Sequence, residues 1–311
     1  MTMSKNNNQM KHHLMSSEKT FADWLMATRP WSFPASSMPV IATLGYLFWL
    51  GCDVCWWKGL WAAANIIVFH AAGNTWSDYH DYRKGVDRDD TIGGISITSG
   101  KFDASQIKCL SFGLLAVALV SGISMLFCTG LPLLYVGLAG FLLTIGYPWL
   151  KYRALGDVDI FLTYSLLPVL GTSYVALGEF NLQTLWLCVP IGLITVAILH
   201  VNNLRDIGHD KRAGIRTFAM LLGGDRAVSL YCFELLLPFA WVMVGIICGV
   251  FPWWTLLVLI ALKPAIDNAK KALAYRNEGM EAVMGLDEQT AKLQLIFSLM
   301  LFAGTLIAAF L

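Results

Sequence analysis

The stretch GNTWSDYHDYRKGVDRDD, from Gly73 to Asp90, closes a nearly uncharged apolar run. Its last thirteen positions hold five aspartates and three basic residues. Two unit charges about 4 Å apart repel by about 4 kcal/mol at an effective dielectric near 20. So many carboxylates at the end of an apolar segment therefore need cations or protons to hold them together.

Composition says what the apolar run is. Of 311 residues, 57% are hydrophobic and only 14% charged, and the mean hydropathy is +0.60. A soluble domain carries about 25% charged residues. The chain reads as an all-α, polytopic bundle embedded in a lipid bilayer, because a continuous span satisfies its own backbone there only as helix. The net charge of +1 gives no footprint for nucleic acid. Seven cysteines are scattered. Cys52 and Cys55 form one CxxC with no second pair, so they read as small apolar residues rather than a metal or redox site. The first eighteen residues are polar and lack the apolar core of a signal peptide. Residues 1–18 are expected to form a disordered tail and 19–311 a single transmembrane domain.

About 20 apolar residues cross a bilayer as helix. Apolar runs between breaks predict nine transmembrane helices, over residues 34–51, 57–80, 105–128, 131–150, 156–178, 181–203, 226–248, 252–275 and 287–311. Ahead of them, Phe21, Trp24, Leu25 and Thr28 fall at helical spacing, which predicts a short helix lying on the membrane and closed by Arg29–Pro30. With nine spans, 21 of the 22 Lys and Arg residues fall on one side and only Lys58 on the other. By the positive-inside rule the N-terminus is cytoplasmic. The expectation is a multi-pass protein of the cell inner (plasma) membrane.

A second acidic stretch matches the first. NTWSDYHD (Asn74–Asp81) and NNLRDIGHD (Asn202–Asp210) end predicted spans two and six, and each gives way to a basic, glycine-bearing loop, YRKG or KRAG. Asn74 and Asp78 are four apart, as are Asn202 and Asp206, and Asp206 and Asp210; Asp81 follows Asp78 by three. Helical geometry puts such residues on one face. The spans are four crossings apart, so both clusters reach the cytoplasmic side. This pattern reads as two four-helix repeats plus a ninth helix. Lone aspartates beside arginines usually form a solvated face worth about 0–1 kcal/mol per ion pair. Two copies at equivalent helix ends argue for a shared site instead. Magnesium takes oxygen ligands, typically one or two carboxylates with substrate phosphates. Two Mg2+ ions bridging one diphosphate suit the pattern, with nearby Arg and Lys on the remaining phosphate oxygens.

These motifs resemble the UbiA superfamily of intramembrane prenyltransferases. NTWSDYHDYRKGVD is similar to its first aspartate-rich motif and NNLRDIGHDKRAGIRT to its second. RPWSFPAS from Arg29, DKRAGIRTFAMLLG after the paired asparagines, and YPWLKYRALGDVDIF from Tyr147 resemble the 1,4-dihydroxy-2-naphthoate polyprenyltransferases, the MenA branch, and their eukaryotic relatives. The likeness covers most of Arg29 to Gly224.

The resemblance implies an enzyme that transfers a polyprenyl group from polyprenyl diphosphate to an aromatic acid. For the MenA branch the acid is 1,4-dihydroxy-2-naphthoate, which loses its carboxylate to give demethylmenaquinone in menaquinone biosynthesis. It implies that Asp78 and Asp81 serve the first metal site, Asp206 and Asp210 the second, and that Asp87 is a further acidic residue of the first. Asn74 and Asn202 would orient ligands. Lys151 and Arg153 would bind diphosphate, Arg29 diphosphate or the acceptor carboxylate, and Tyr147 would line the pocket. The loop TIGGISITSG lacks a basic residue that family members often carry, for which Arg83, Lys84 or Lys101 would substitute.

His70 and His200 precede the motifs inside spans, and Glu234 lies mid-span; all three read as hydrogen-bonded packing groups. Trp56–Trp57 and Trp253–Trp254 read as interfacial anchors. Other acceptors, 4-hydroxybenzoate, homogentisate or a haem vinyl group, stay open. In another class a secondary transporter stays open, although its site would sit near the midplane rather than at helix ends. A phospholipid-headgroup transferase is disfavoured because its DxxDGxxAR pattern is missing.

Overall fold

The computed structural model describes residues 18–89, 91 and 94–311, with Ile95 by its backbone alone. Apart from Glu18, the expected N-terminal tail lies outside the described residues, as do Asp90, Ile92 and Gly93 of the first acidic loop. The architecture is helical, with one isolated backbone bridge, between Arg153 and Arg216, and no β-sheet among the described residues.

The expected surface helix is α1, Phe21–Ala27. A capping box starts it: Thr20 accepts from the Asp23 amide and Asp23 accepts from the Thr20 amide. It packs Trp24 on Phe102, with ring centroids 4.6 Å apart, and Lys101 pairs with Asp23. That pairing holds the Asp23 carboxyl down at about 2.

The main helices are α2 (Pro34–Trp49), α3 (Trp56–Lys84), α4 (Ala104–Thr129), α5 (Pro132–Lys151), α6 (Gly156–Leu177), α7 (Leu182–Arg205), α8 (Gly224–Ile247), α9 (Leu262–Glu278) and α10 (Leu286–Ala309). Six of them, α4 to α8 and α10, are long and apolar enough to cross a membrane. The other three predicted spans are helical but do not meet that standard. With 16 residues, α2 is about 24 Å long. The end of α3 is charged. The last stretch is split, with the 3-10 run Trp253–Ala261 leading into α9, whose outer side carries the Lys263–Asp267 pair at 2.7 Å.

The length of α3 positions its acidic end. Its 29 residues span about 43 Å, against a hydrocarbon core of about 30 Å. Were Trp56 and Trp57 to sit at one interface, as the sequence reading expects, the last two turns would project beyond the other. Gly85, at φ +75°, ends the helix in the left-handed conformation that terminates many helices.

The largest core cluster joins α7, α8 and α10 through residues such as Ile194, Tyr231, Leu235 and Phe297. A smaller one joins α2 and α3. Lipid supplies no hydrophobic drive between helices, so close approach matters. At Gly304 of α10 a Cβ would meet the Trp254 carbonyl oxygen at 2.6 Å. By contrast α4 and α5 keep broad outward apolar faces, with Phe127 86% and Tyr135 68% exposed.

Candidate active site

The ends of α3 and α7 open into one cavity of about 270 Å³, lined among others by Asn74, Asp81, Asp87, Asn202, Asp206 and Asp210. The two acidic stretches therefore share a site.

On the α3 side, Asp78 and Asp81 are 2% and 4% exposed. Asp78 is bound by Arg29, which sits at φ +57° just after α1; the Asp78 carboxylate is the chief cause of the raised Arg29 pKa. Asp81 accepts from Lys151 Nζ at 2.7 Å, the Tyr152 hydroxyl at 2.8 Å and the Ser77 hydroxyl at 3.2 Å. Burial and this carboxylate both raise the Tyr152 phenol. The Asn74 side-chain amide donates to the Thr28 carbonyl and to Ser32 Oγ, at 2.9 and 3.0 Å, tying the segment after α1 to the site. Asp87 is buried, and its Oδ2 has no partner among the described residues. Burial, then the Asp81 charge, pushes its carboxyl up to about 7. Beside it Gly94 has φ +61°, and a Cβ there would collide with the Asp87 carboxylate.

On the α7 side the sequence-derived helix face is interrupted. The backbone at Asp206 (φ −92°, ψ 8°) leaves helical values, and a short separate helix follows over Ile207–Arg212. The amides of Asp206 and Asp210 still donate to Asn202 O and Asp206 O, at 3.0 and 2.9 Å, so the three side chains stay in succession around the bend. Arg205 grips both Asp206 oxygens (2.9 and 2.8 Å), Asn202, and Asp287 at the start of α10 (2.8 Å). Asp210 is 3% exposed, and burial holds its carboxyl up at about 7 while Lys151 draws it down. Lys151 thus bridges the two halves electrostatically. The backbone does so as well: the Arg216 amide donates to the Tyr152 carbonyl at 3.1 Å.

Arg29, Tyr147 and Lys151 also line the cavity, as the sequence led one to expect. Asp78 does not line it, being buried behind its pair with Arg29; nor do Arg83, Lys84 and Arg153, which are exposed. His70 and His200 both lie in packing contacts. His70 sits between Ser32 Oγ (3.3 Å) and Ser36 Oγ (2.9 Å). His200 donates Nε2–H to the Ala227 carbonyl (3.1 Å) and turns Nδ1 to Asp157 Oδ2 (2.9 Å), with Glu234 Oε1 3.9 Å away. Several cavity residues escaped the sequence reading: Asp159, Thr163, Asp287 and Glu288. The available signal for Asp159 was an acid three residues inside an apolar span, which marks a functional candidate by default.

A second, apolar space of about 480 Å³ adjoins the first between α3, α4, α5 and α6, and both are lined by His70, Thr144, Thr163 and Tyr164. Leu119, Ile123, Leu134 and Leu138 line this chamber while standing 37–52% exposed on the outer face. The chamber therefore opens sideways between α4 and α5.

Residues 38–282 match the UbiA prenyltransferase family. The zebrafish (Danio rerio) UbiA prenyltransferase domain-containing protein 1 is 32% identical over 292 residues, covering 92% of this chain and 84% of that one. That relative bears a different name from the MenA branch to which the motifs pointed. Among solved structures, a UbiA homolog from Aeropyrum pernix K1 shares the fold at TM-score 0.63 with 16% identity, over 88% of this chain and 97% of the other. A UbiA homolog from Archaeoglobus fulgidus bound to GPP and Mg2+ does so at 0.57 and 13%, over 93% and 100%. With its family region spanning both acidic motifs and the helices that carry them, the chain is a multi-pass membrane protein of the UbiA prenyltransferase family.

Proposed function

We propose that the chain transfers a polyprenyl group from polyprenyl diphosphate to an aromatic acid at the inner leaflet, with residues 19–311 acting as one domain. One observation carries this reading. A cavity rich in carboxylates and cations continues into an apolar chamber through shared walls. A charged head on a long isoprenoid tail has that shape and chemistry.

The residues fit a divalent cation. Asp87 keeps a buried oxygen without a partner, and Asp87 and Asp210 both sit at about 7, as expected of buried carboxyls short of positive charge. Asp78, Asp81 and Asp87 on one side, and Asp206 and Asp210 on the other, would hold two Mg2+ ions. The Archaeoglobus neighbour's Mg2+ and GPP support a metal with a prenyl diphosphate. When bound, magnesium neutralises the departing diphosphate.

The chain's own groups do the rest. Arg29 and Lys151 supply positive charge for the remaining phosphate oxygens, with Asn74 and Asn202 beside them as polar orienters. Tyr147 walls the reacting end. The leucine- and phenylalanine-lined chamber excludes water while the allylic C–O bond ionises and an electron-rich ring carbon attacks. Among acceptors we favour 1,4-dihydroxy-2-naphthoate, with loss of carboxylate to give demethylmenaquinone, on the strength of RPWSFPAS and NNLRDI.

Membranes containing the protein, supplied with polyprenyl diphosphate, Mg2+ and this acceptor, are expected to form prenylated product. Asp78→Ala and Asp206→Ala are expected to abolish it. Full turnover in both variants would remove the metal assignment. Product with 4-hydroxybenzoate or homogentisate alone would replace the acceptor.

A further inference from the structure

An acceptor has one place to go. On the reading above, on which this inference rests, the diphosphate lies among the acidic helix ends and the tail in the apolar chamber. The reacting carbon then falls where the two spaces join, at His70, Thr144, Thr163 and Tyr164. Whatever polar group recognises the acceptor must face that junction and have hydrogen-bonding capacity to spare.

Several polar groups nearby have none, and the Gln294 amide, whose two atoms also lack partners among the described residues, lines the polar cavity from α10 with no junction residue on its own helix. Both His70 nitrogens are engaged by serines. Asn74 has its amide in two bonds, and Asp81 has three donors. Asp159 differs. It is 3% exposed, it lines the polar cavity, and its Oδ1 has no partner among the described residues. Four residues on, Thr163 lines both spaces, and its buried Oγ1 likewise lacks a partner. The spacing puts them on one face of α6, close enough for the Thr163 hydroxyl to act on the Asp159 carboxylate, without a hydrogen bond of full geometry for Asp159 Oδ1 or Thr163 Oγ1 among the described residues. Asp157, two residues earlier, is taken by His200; Asp159 faces the cavity instead. The helix also carries a π turn here, Leu162–Leu166, a distortion frequent at functional sites. A buried acceptor and a buried hydroxyl left unpaired on a cavity wall cost stability unless a ligand completes them.

We propose that Asp159 and Thr163 form the acceptor subsite and take a hydroxylated arene by one ring hydroxyl. The phenolic O–H donates to the Asp159 carboxylate, and Thr163 Oγ1 bonds the same phenolic oxygen. That hydrogen bond pushes electron density onto the ring carbons ortho and para to the hydroxyl, the positions that attack an allylic cation. It also makes the site reject a ring whose hydroxyl is missing or capped, because the carboxylate would then stay unpaired.

The test uses the full chain in membranes or detergent with one polyprenyl diphosphate and Mg2+. The acceptors are 1,4-dihydroxy-2-naphthoate and its mono-O-methyl ethers. Asp159→Asn keeps the shape, and Thr163→Val serves as a second variant should the first fold poorly. Each is expected to raise KM for the dihydroxy acceptor by about 10- to 100-fold. Each should also shrink the preference for free hydroxyl over methoxy by a similar factor, with KM for the prenyl diphosphate within about twofold of wild type. Unchanged acceptor KM and unchanged hydroxyl preference in a folded variant would overturn the subsite. If the wild-type protein prenylates no arene at all, the proposed function falls first and the subsite with it, an outcome visible before any variant is made.

Discussion

Burial holds the Asp87 and Asp210 carboxyls at about 7, well above an ordinary aspartate. A cation that binds them must displace a proton. Below pH 7 both groups are mostly protonated and above it mostly ionised, so divalent affinity rises with pH and levels off above about 8. Between pH 6 and 8 the Mg2+ concentration for half-maximal activity is expected to fall roughly tenfold for each such group that ligates. A flat profile would separate these carboxyls from the metal. Lys151 makes the complementary case. Lys151→Met removes the charge that Asp81 and the diphosphate share, and is expected to lower kcat/KM for prenyl diphosphate by about 10- to 100-fold. Arg83→Ala and Lys84→Ala, at exposed positions, should stay within about threefold. Spacing alone showed that basic residues attend the first motif but not which ones; the family resemblance named Lys151, together with Arg153, Arg83 and Lys84, which stay off the cavity. Lys151 lies 70 positions from Asp81 along the chain, while Arg83 follows Asp81 by two residues, about 200° around the helix. Asp159 was hidden for a different reason. Without the fold, one acid in an apolar run does not show whether it meets a partner or a cavity.

Elements set how far helix reading could go. Period and hydropathy marked all six helices long and apolar enough to cross a membrane, because a bilayer demands long apolar runs, and marked three further stretches that are helical but fall short of that standard. They did not foresee the break at Asp206, where the chain turns from α7 into Ile207–Arg212 while keeping its backbone bonds. Nor did they foresee the 3-10 run ahead of α9. Such bends answer to packing neighbours rather than to local composition. The loop after α3 is a case in point, since Gly94 is needed there both for its φ of +61° and for the room Asp87 occupies. Gly94→Ala strains the backbone by about 1–2 kcal/mol and pushes on Asp87. It is expected to raise the Mg2+ requirement several-fold while the diphosphate KM at saturating Mg2+ changes little; titration of activity with Mg2+ reads this directly.

For the whole molecule, charge asymmetry fixes the expected orientation. Residues 1–17 aside, the nine-span reading puts the acidic helix ends and nearly all described Lys and Arg residues on one face and the α6–α7 connection on the other, and the positive-inside rule makes the first face the expected cytoplasmic one. With the seven native cysteines replaced by serine or alanine, a cysteine placed at Glu179 is expected to react with a membrane-impermeant maleimide on intact cells, whereas one at Lys211 should react only after lysis. The reverse pattern would invert the topology. The chamber's sideways mouth between α4 and α5, rimmed by Leu119, Ile123, Leu134 and Leu138, has a kinetic consequence. A long-tailed reactant arriving through that gap is drawn from a two-dimensional reservoir, so turnover should follow its mole fraction among the lipids. Adding inert phospholipid at constant bulk concentration is expected to slow the reaction by surface dilution, and a bulky side chain at Ile123 to slow loading without altering the capture of a short, water-borne analogue.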